Sequence, residues 1–208
     1  MTTPFSDLDA FQAIPRTDGL ALSPDGTRLV TSVATPDSDA TKWVTALWEV
    51  DPTGERPAIR LTRSRKGEAS PAFLPNGDLL FTSARPDPDA KEPADDAPAA
   101  LWLLSAHGGE ARVVGTRPGG IGGVVVAQDA GTVLASSATL PGAVTGEDDE
   151  KRRTDRKDRK VKAILHAGYP VRYWDHDLGP DAPRLLTGAI GEHERIAWED
   201  RTPSPERA

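Results

Sequence analysis

A strand–turn–strand unit recurs along this chain, and the repeat limits the possible folds more than any other feature. Gly19 to Val30 reads Gly-Leu-Ala-Leu-Ser-Pro-Asp-Gly-Thr-Arg-Leu-Val. Glu68 to Phe81 reads Glu-Ala-Ser-Pro-Ala-Phe-Leu-Pro-Asn-Gly-Asp-Leu-Leu-Phe. Both carry an apolar pair, a Pro-Asp-Gly or Pro-Asn-Gly turn, and then an apolar strand. A degraded third copy spans Gly123 to Ala135, with Gln128-Asp129-Ala130-Gly131 in place of the turn. The turn glycines Gly26, Gly77 and Gly131 stand 51 and 54 residues apart. Asp-Gly and Asn-Gly mark tight hairpins, because glycine accepts the positive φ such turns require.

A second element recurs in step. Ala46-Leu47-Trp48-Glu49-Val50-Asp51, Ala100-Leu101-Trp102-Leu103-Leu104-Ser105 and Arg172-Tyr173-Trp174-Asp175-His176-Asp177 are each followed by a glycine turn. A short strand then follows: Ile59–Thr62, Ala111–Val114 and Arg184–Thr187. Gly26 precedes Trp48 by 22 residues and Gly77 precedes Trp102 by 25, whereas Gly131 precedes Trp174 by 43. Four short strands in a unit of roughly 40–50 residues is the arithmetic of a propeller blade. The expected fold is all-β: a partial β-propeller of about three four-stranded antiparallel blades with one charged insertion. A generic β-sandwich is the competing architecture, but it does not require a tryptophan strand at a kept offset from the turn.

The expected organisation is a lead-in over 1–18, blade one over 19–67 and blade two over 68–118. Blade three covers 119–190 with an insertion at 141–162, and a polar connector occupies 191–208. In the lead-in, Phe5, Leu8, Phe11 and Ile14 read as a short amphipathic helix behind a Ser6 cap. Pro86 to Pro98 holds four prolines and no large apolar residue, which predicts a solvated loop. Glu147 to Lys162 places acids four residues before bases: Glu147/Lys151, Asp148/Arg152, Asp149/Arg153, Asp155/Arg159 and Asp158/Lys162. That spacing predicts an exposed helix, read as a solvated excursion between strands.

Composition excludes several chemistries. Gly and Pro number 19 each, too many for a long-helix protein. The absence of cysteine removes thiolate zinc sites, iron–sulfur clusters and cysteine nucleophiles. A net charge of −7 disfavours nucleic acid, whose phosphates need a cationic surface. No apolar run approaches the roughly 20 residues of a membrane span, and the first ten residues do not read as a secretory signal. A cytoplasmic location is expected.

No motif in the chain marks a catalytic residue. No serine stands in Gly-x-Ser-x-Gly, the elbow of α/β-hydrolases. Gly119-Gly120-Ile121-Gly122-Gly123 departs from the dinucleotide fingerprint and precedes a strand rather than a helix; it reads as a turn into blade three. The four histidines, His107, His166, His176 and His193, form no His-x-x-x-His pair. Asp175-His176-Asp177 resembles a metal trio only on paper, since a strand points His176 away from the two carboxylates. Trp48, Trp102 and Trp174 read as rings filling the wedge between blades rather than a ligand cage. The expectation is no catalytic residue, no cofactor site and no metal site.

Together, Leu22–Val30, Ala46–Asp51 and Arg60–Thr62 resemble the N-terminal propeller of the prolyl oligopeptidase family of serine peptidases, in particular its acylaminoacyl-peptidase and dipeptidyl-aminopeptidase-like bacterial members. The stretch from Asp149 to Arg153, and on from Ala163 to Gly179, is the most specific part of the resemblance. The resemblance implies a propeller of about seven blades followed by an α/β-hydrolase domain with a Ser–Asp–His triad. It implies a chain truncated before that domain, so no triad residue carries over, and the family's amine-binding glutamates have no match. The implied role is noncatalytic: restricting peptide access to the hydrolase domain of a full-length parent. The implied partners are therefore that domain and peptide substrates, with no nucleic acid and no membrane. The alternative is a stand-alone, self-associating protein-binding module.

Overall fold

The computed structural model describes residues 3, 5–90, 96–166, 170–191 and 194–202. Three four-stranded antiparallel sheets follow one another along the chain. The first is β1 (Arg16–Leu22), β2 (Leu29–Pro36), β3 (Trp43–Val50) and β4 (Ile59–Arg60). The second is β5 (Ala69–Phe73), β6 (Leu79–Ser83), β7 (Ala100–Leu104) and β8 (Arg112–Gly115). The third is β9 (Val124–Val126), β10 (Val133–Thr139), β13 (Ala182–Gly188) and β14 (Glu199–Asp200). Two more strands, β11 (Arg172–Tyr173) and β12 (His176–Asp177), pair only with each other. Two helices complete the inventory of described elements: α1 (Leu8–Gln12) and α2 (Gly146–Asp158). In each sheet the strands lie in sequence order, and the first strands β1, β5 and β9 pack side by side. This is a partial β-propeller.

The turns obey the chemistry of their residues. Gly26, Gly77 and Gly131 all take positive φ, at 73°, 86° and 66°. In the first turn, Ser23 Oγ donates to Asp25 Oδ1 at 2.6 Å and Thr27 N–H donates to the same oxygen at 3.1 Å. These bonds hold the Asp25 carboxyl below its usual range, the Ser23 hydroxyl being the main cause. In the second turn, Asp78 N–H donates to Asn76 Oδ1 at 3.1 Å. Both are side chains closing the turn that their own backbone makes.

The middle sheet is buried on both faces, and period-two alternation sorts its side chains. Leu79, Phe81, Trp102 and Val113 pack with Val30 and Leu47 of the first sheet. Leu80, Leu101, Leu103 and Val114 pack with Val126, Val133, Ala135 and Leu186 of the third. All five residues of β6 are buried. Each fully buried side chain of this size contributes about 1.5–3 kcal/mol of transfer free energy, so the second sheet ties its neighbours together through two core clusters, one on each face. The outer faces of the first and third sheets leave Leu20, Leu22, Val125 and Leu185 exposed.

The third blade corrects the sequence reading. Arg172–Asp177 is not its tryptophan strand. Across from β10 runs β13, paired from Val133↔Gly188 to Thr139↔Ala182. In the first two sheets the tryptophan sits opposite Thr31 and Phe81; in the third, Leu186 sits opposite Ala135 and is fully buried. Trp174 lies in the turn of the separate hairpin, 85% exposed, with a φ of 54°. The physical reason is burial: β13 offers Leu186 to the core across seven paired residues, whereas the Arg172–Asp177 segment supplies only a two-residue pairing.

The fourth strand of this sheet is Glu199–Asp200, drawn from the segment read as a connector. There Ile196 is buried, and a Cβ on Gly115 would come within 2.8 Å of the Trp198 ring. Close packing, rather than a leading-away tail, thus describes residues 194–202. At the other end, α1 is capped by Asp7, which accepts from Asp9 N–H at 2.9 Å and Ala10 N–H at 3.2 Å. Ser6 instead donates to Thr3 O at 2.7 Å. Phe5 and Leu8 remain exposed.

Candidate functional site

The two ends of the sheets differ. One end carries tight turns: Pro75 of the second turn lies 3.6 Å from where a Cβ on Gly131 of the third would stand. The opposite end carries the crossovers between sheets and the longest connection, from Leu140 to Asp181. Its segments touch in series. Ser83 Oγ donates to Gly67 O at 2.7 Å, Ile121 N–H donates to Ala99 O at 2.7 Å, and Arg153 Nη2 donates to Ala138 O at 3.1 Å. A rigid scaffold bearing its variable loops on one face is where binding groups concentrate.

Two crossovers are clamped alike. Gly67 and Gly120 take φ of 82° and 83°, and their carbonyls accept from the buried hydroxyls of Ser83 and Ser137, both at 2.7 Å. Ser83 and Ser137 each stand six residues after a turn glycine, Gly77 and Gly131, an offset that a positional comparison of the repeats would have found. Beside the first clamp, Glu68 is 1% exposed. It accepts from Ser64 N–H at 2.8 Å and from Thr62 Oγ1 at 3.0 Å. Burial pushes its carboxyl upward, and these bonds oppose the shift only in part. The glycine run 119–123 is a packed crossover into β9: a Cβ on Gly119 would overlap Ala138 O.

Helix α2 begins at a Thr145 cap, whose Oγ1 accepts from Asp148 N–H at 3.1 Å. Acids fill its first turn, and Arg156 and Lys157 its last, as the helix dipole favours. Two of the expected i,i+4 pairs form, Asp148–Arg152 at 3.0 Å and Asp149–Arg153 at 3.1 Å. The helix stops at Asp158, so Asp158/Lys162 falls beyond it. Nor is it only a solvated excursion. Asp149 is fully buried and accepts from Leu140 N–H at 2.8 Å, while Arg153 also donates to Asp181 Oδ1 at 2.9 Å. One carboxylate and one guanidinium therefore hold both ends of the long connection against the helix. The Asp149 and Asp181 carboxylates raise the Arg153 guanidinium pKa, although its burial opposes them.

A groove of about 630 Å³ runs along α2 between Leu140–Pro141 and Val161–His166. A smaller one, about 290 Å³, lies at the loop end of the second sheet and is lined by Arg85, Trp102, Arg117 and Glu150. Trp102 is fully buried beneath Arg85, whose guanidinium carbon stands 3.9 Å from its ring. Its Nε1–H donates to Ser83 O at 3.2 Å.

The residues singled out by sequence are scattered. Trp48 is half-buried on the outer face of the first sheet and Trp102 is buried between the first and second, so with Trp174 exposed the three form no cage. Asp177 pairs with Arg172 at 3.4 Å, and among the described residues no three metal-ligating side chains converge. His107 lies in the β7–β8 turn and His166 in the wall of the large groove. His193, the His176 side chain, residues 91–95 of the proline-rich loop and residues 167–169 lie outside the described residues. No described helix is long and apolar enough to cross a membrane.

No protein-family model and no curated protein matches the chain. Solved structures do match. The acylaminoacyl peptidase of Pyrococcus horikoshii superposes with a TM-score of 0.58 at 12% identity, over 93% of this chain and 26% of that one. AtxE2 isopeptidase superposes with a TM-score of 0.56 at 17% identity, over 97% of this chain and 32% of that one. A protein of Agrobacterium tumefaciens assigned as TolB superposes with a TM-score of 0.50 at 14% identity, over 89% of this chain and half of that one. The chain thus spans about a quarter of the length of the acylaminoacyl peptidase, and what it shares with these proteins is the fold.

Proposed function

We propose that this chain is the noncatalytic propeller portion of a serine peptidase of the prolyl oligopeptidase type, set against an α/β-hydrolase domain and restricting its access to peptides. The observation that carries the reading is the structural likeness to two peptidases over more than nine-tenths of the chain. The segregation of crossovers and the long insertion to one end adds a surface suited to face a partner domain. A stiff cover excludes folded chains by size and keeps bulk water from an acyl-transfer site. Attack on the acyl group would be the hydrolase domain's work. The reading also carries a cytoplasmic location.

The purified chain is expected to leave acetyl-alanine p-nitroanilide intact over hours at a concentration where a peptidase clears it in minutes. Turnover that copurifies with the folded chain would overturn the assignment. A second reading, a stand-alone protein-binding module, draws on the likeness to the TolB-assigned chain, half of which is spanned. A monodisperse dimer in light scattering favours that module.

A further inference from the structure

The groove beside α2 combines three arginines with apolar walls, a pairing that the peptidase reading does not use. Its volume of about 630 Å³ lies within the roughly 300–1,000 Å³ of ligand sites. Arg152, Arg156 and Arg159 line it at i, i+4 and i+7, so they lie on one side of the helical path. Leu140, Val161 and Leu165 supply apolar surface, and Leu165 is 91% exposed. Arg152 gives its Nε–H to Asp148 at 3.0 Å, and Arg156 gives an Nη2 hydrogen to Ala163 O at 3.0 Å. A guanidinium has five donors, so each of these single bonds leaves further donors for a ligand. Among the described residues, Asp155 is the one carboxylate in the wall, against three guanidinium groups. On a chain of net charge −7, this is a local cationic site that would draw in an anion.

We propose that this groove binds short apolar peptides through a carboxylate, held by Arg152 and Arg159 with Arg156 as the fixed wall, and with the peptide's hydrocarbon against Leu140, Val161 and Leu165. The choice of a peptide rests on the peptidase reading; the choice of an anion with an apolar body rests on the groove.

Calorimetric titration of the full chain at low salt tests this with three probes. One is acetyl-Ala-Leu-Ala-Glu amide, one is acetyl-Ala-Leu-Ala-Leu with a free C-terminus, and one is the neutral acetyl-Ala-Leu-Ala-Gln amide. At least one carboxylate peptide is expected to bind about tenfold more tightly than the neutral one, and which one does identifies the carboxylate as side-chain or terminal. Arg152→Gln with Arg159→Gln is expected to remove that preference while the circular dichroism spectrum and melting curve stay unchanged. Arg156 is kept, because it pins Ala163. Equal binding of all three peptides, no binding at millimolar peptide, or wild-type preference in the folded double variant would each overturn the proposal. Because the readout is binding to this chain alone, such a failure leaves the propeller assignment standing. Conversely, peptidase turnover by the chain would refute that assignment without touching the groove.

Discussion

Single residues in this chain do their work where backbone or charge is forced into a small space. Gly119 is one: a methyl group there would meet Ala138 O and the Arg153 guanidinium. Overpacking of this kind costs about 1–3 kcal/mol, so Gly119→Ala is expected to lower the urea midpoint without changing the far-ultraviolet spectrum. Asp149 is another. Removing its carboxylate strands Leu140 N–H and one side of Arg153. Arg153 is partly solvated and retains Asp181, so Asp149→Ala is expected to cost about 2–3 kcal/mol in urea unfolding, less than breaking a wholly buried pair does.

Glu68 predicts a pH dependence. Desolvation raises its carboxyl in the folded chain, so the folded state holds the proton more tightly than the unfolded state does. The stability this adds is complete below the ordinary glutamate range and fades as pH climbs through the raised value. Asp25, Asp37, Asp51 and Asp148 shift the other way, Asp51 down to about 2 through hydrogen bonds from Thr53 and Arg56. The Glu68 contribution is therefore read as a difference. The stability of wild type minus that of Glu68→Gln is expected to fall as pH rises above the ordinary glutamate range, and a flat difference would refute the assignment.

At the scale of elements, the repeat is a set of paired strands whose third member differs in the last copy. Leu186 takes the place held by Trp48 and Trp102, and Trp174 caps a solvent-facing hairpin. Leu186→Ala is therefore expected to cost about 2–5 kcal/mol, the usual range for a fully buried leucine. Trp174→Ala should stay within about 0.5 kcal/mol, as exposed positions do. Chemical denaturation of both variants checks the strand assignment directly, since the alternative pairing reverses the order. The position of β10 and the turn before it were legible from Gly131 and its flanking apolar residues. The partner of β10 was not, because two apolar segments follow the insertion and local periodicity ranks neither above the other.

For the whole molecule, the second sheet is the keystone because it buries both faces, while its neighbours bury one each. Phe81→Ala faces the first sheet and Leu80→Ala faces the third. Each is expected to lower the melting temperature of the whole chain in one transition, since the two clusters share strands β6, β7 and β8. The exposed outer faces, with Leu20, Leu22, Val125 and Leu185, predict that the native chain binds a hydrophobic dye such as anilinonaphthalene sulfonate, and that urea unfolding abolishes the binding. At this scale the arginine-lined groove was invisible in sequence. The acid–base spacing of 147–162 identified a helix, but not that Asp149 would be buried or that Leu140 and Leu165 would wall a groove beside Arg152.

Sequence by itself determined the turns, the strand-rich blades and the count of three units. Each of these follows from interactions between residues a few positions apart: a glycine at positive φ, a carboxylate closing its own turn, an alternation with a period of two. Tertiary structure alone decided which segment completes the third sheet, which charges are buried and which surfaces form a groove. Those outcomes depend on apolar area and polar partners supplied from tens of residues away, such as Leu186 against Ala135 or Asp149 against Leu140. A short stretch of sequence carries no record of its distant neighbours, so the energy that chooses among its possible pairings appears only when the sheets pack.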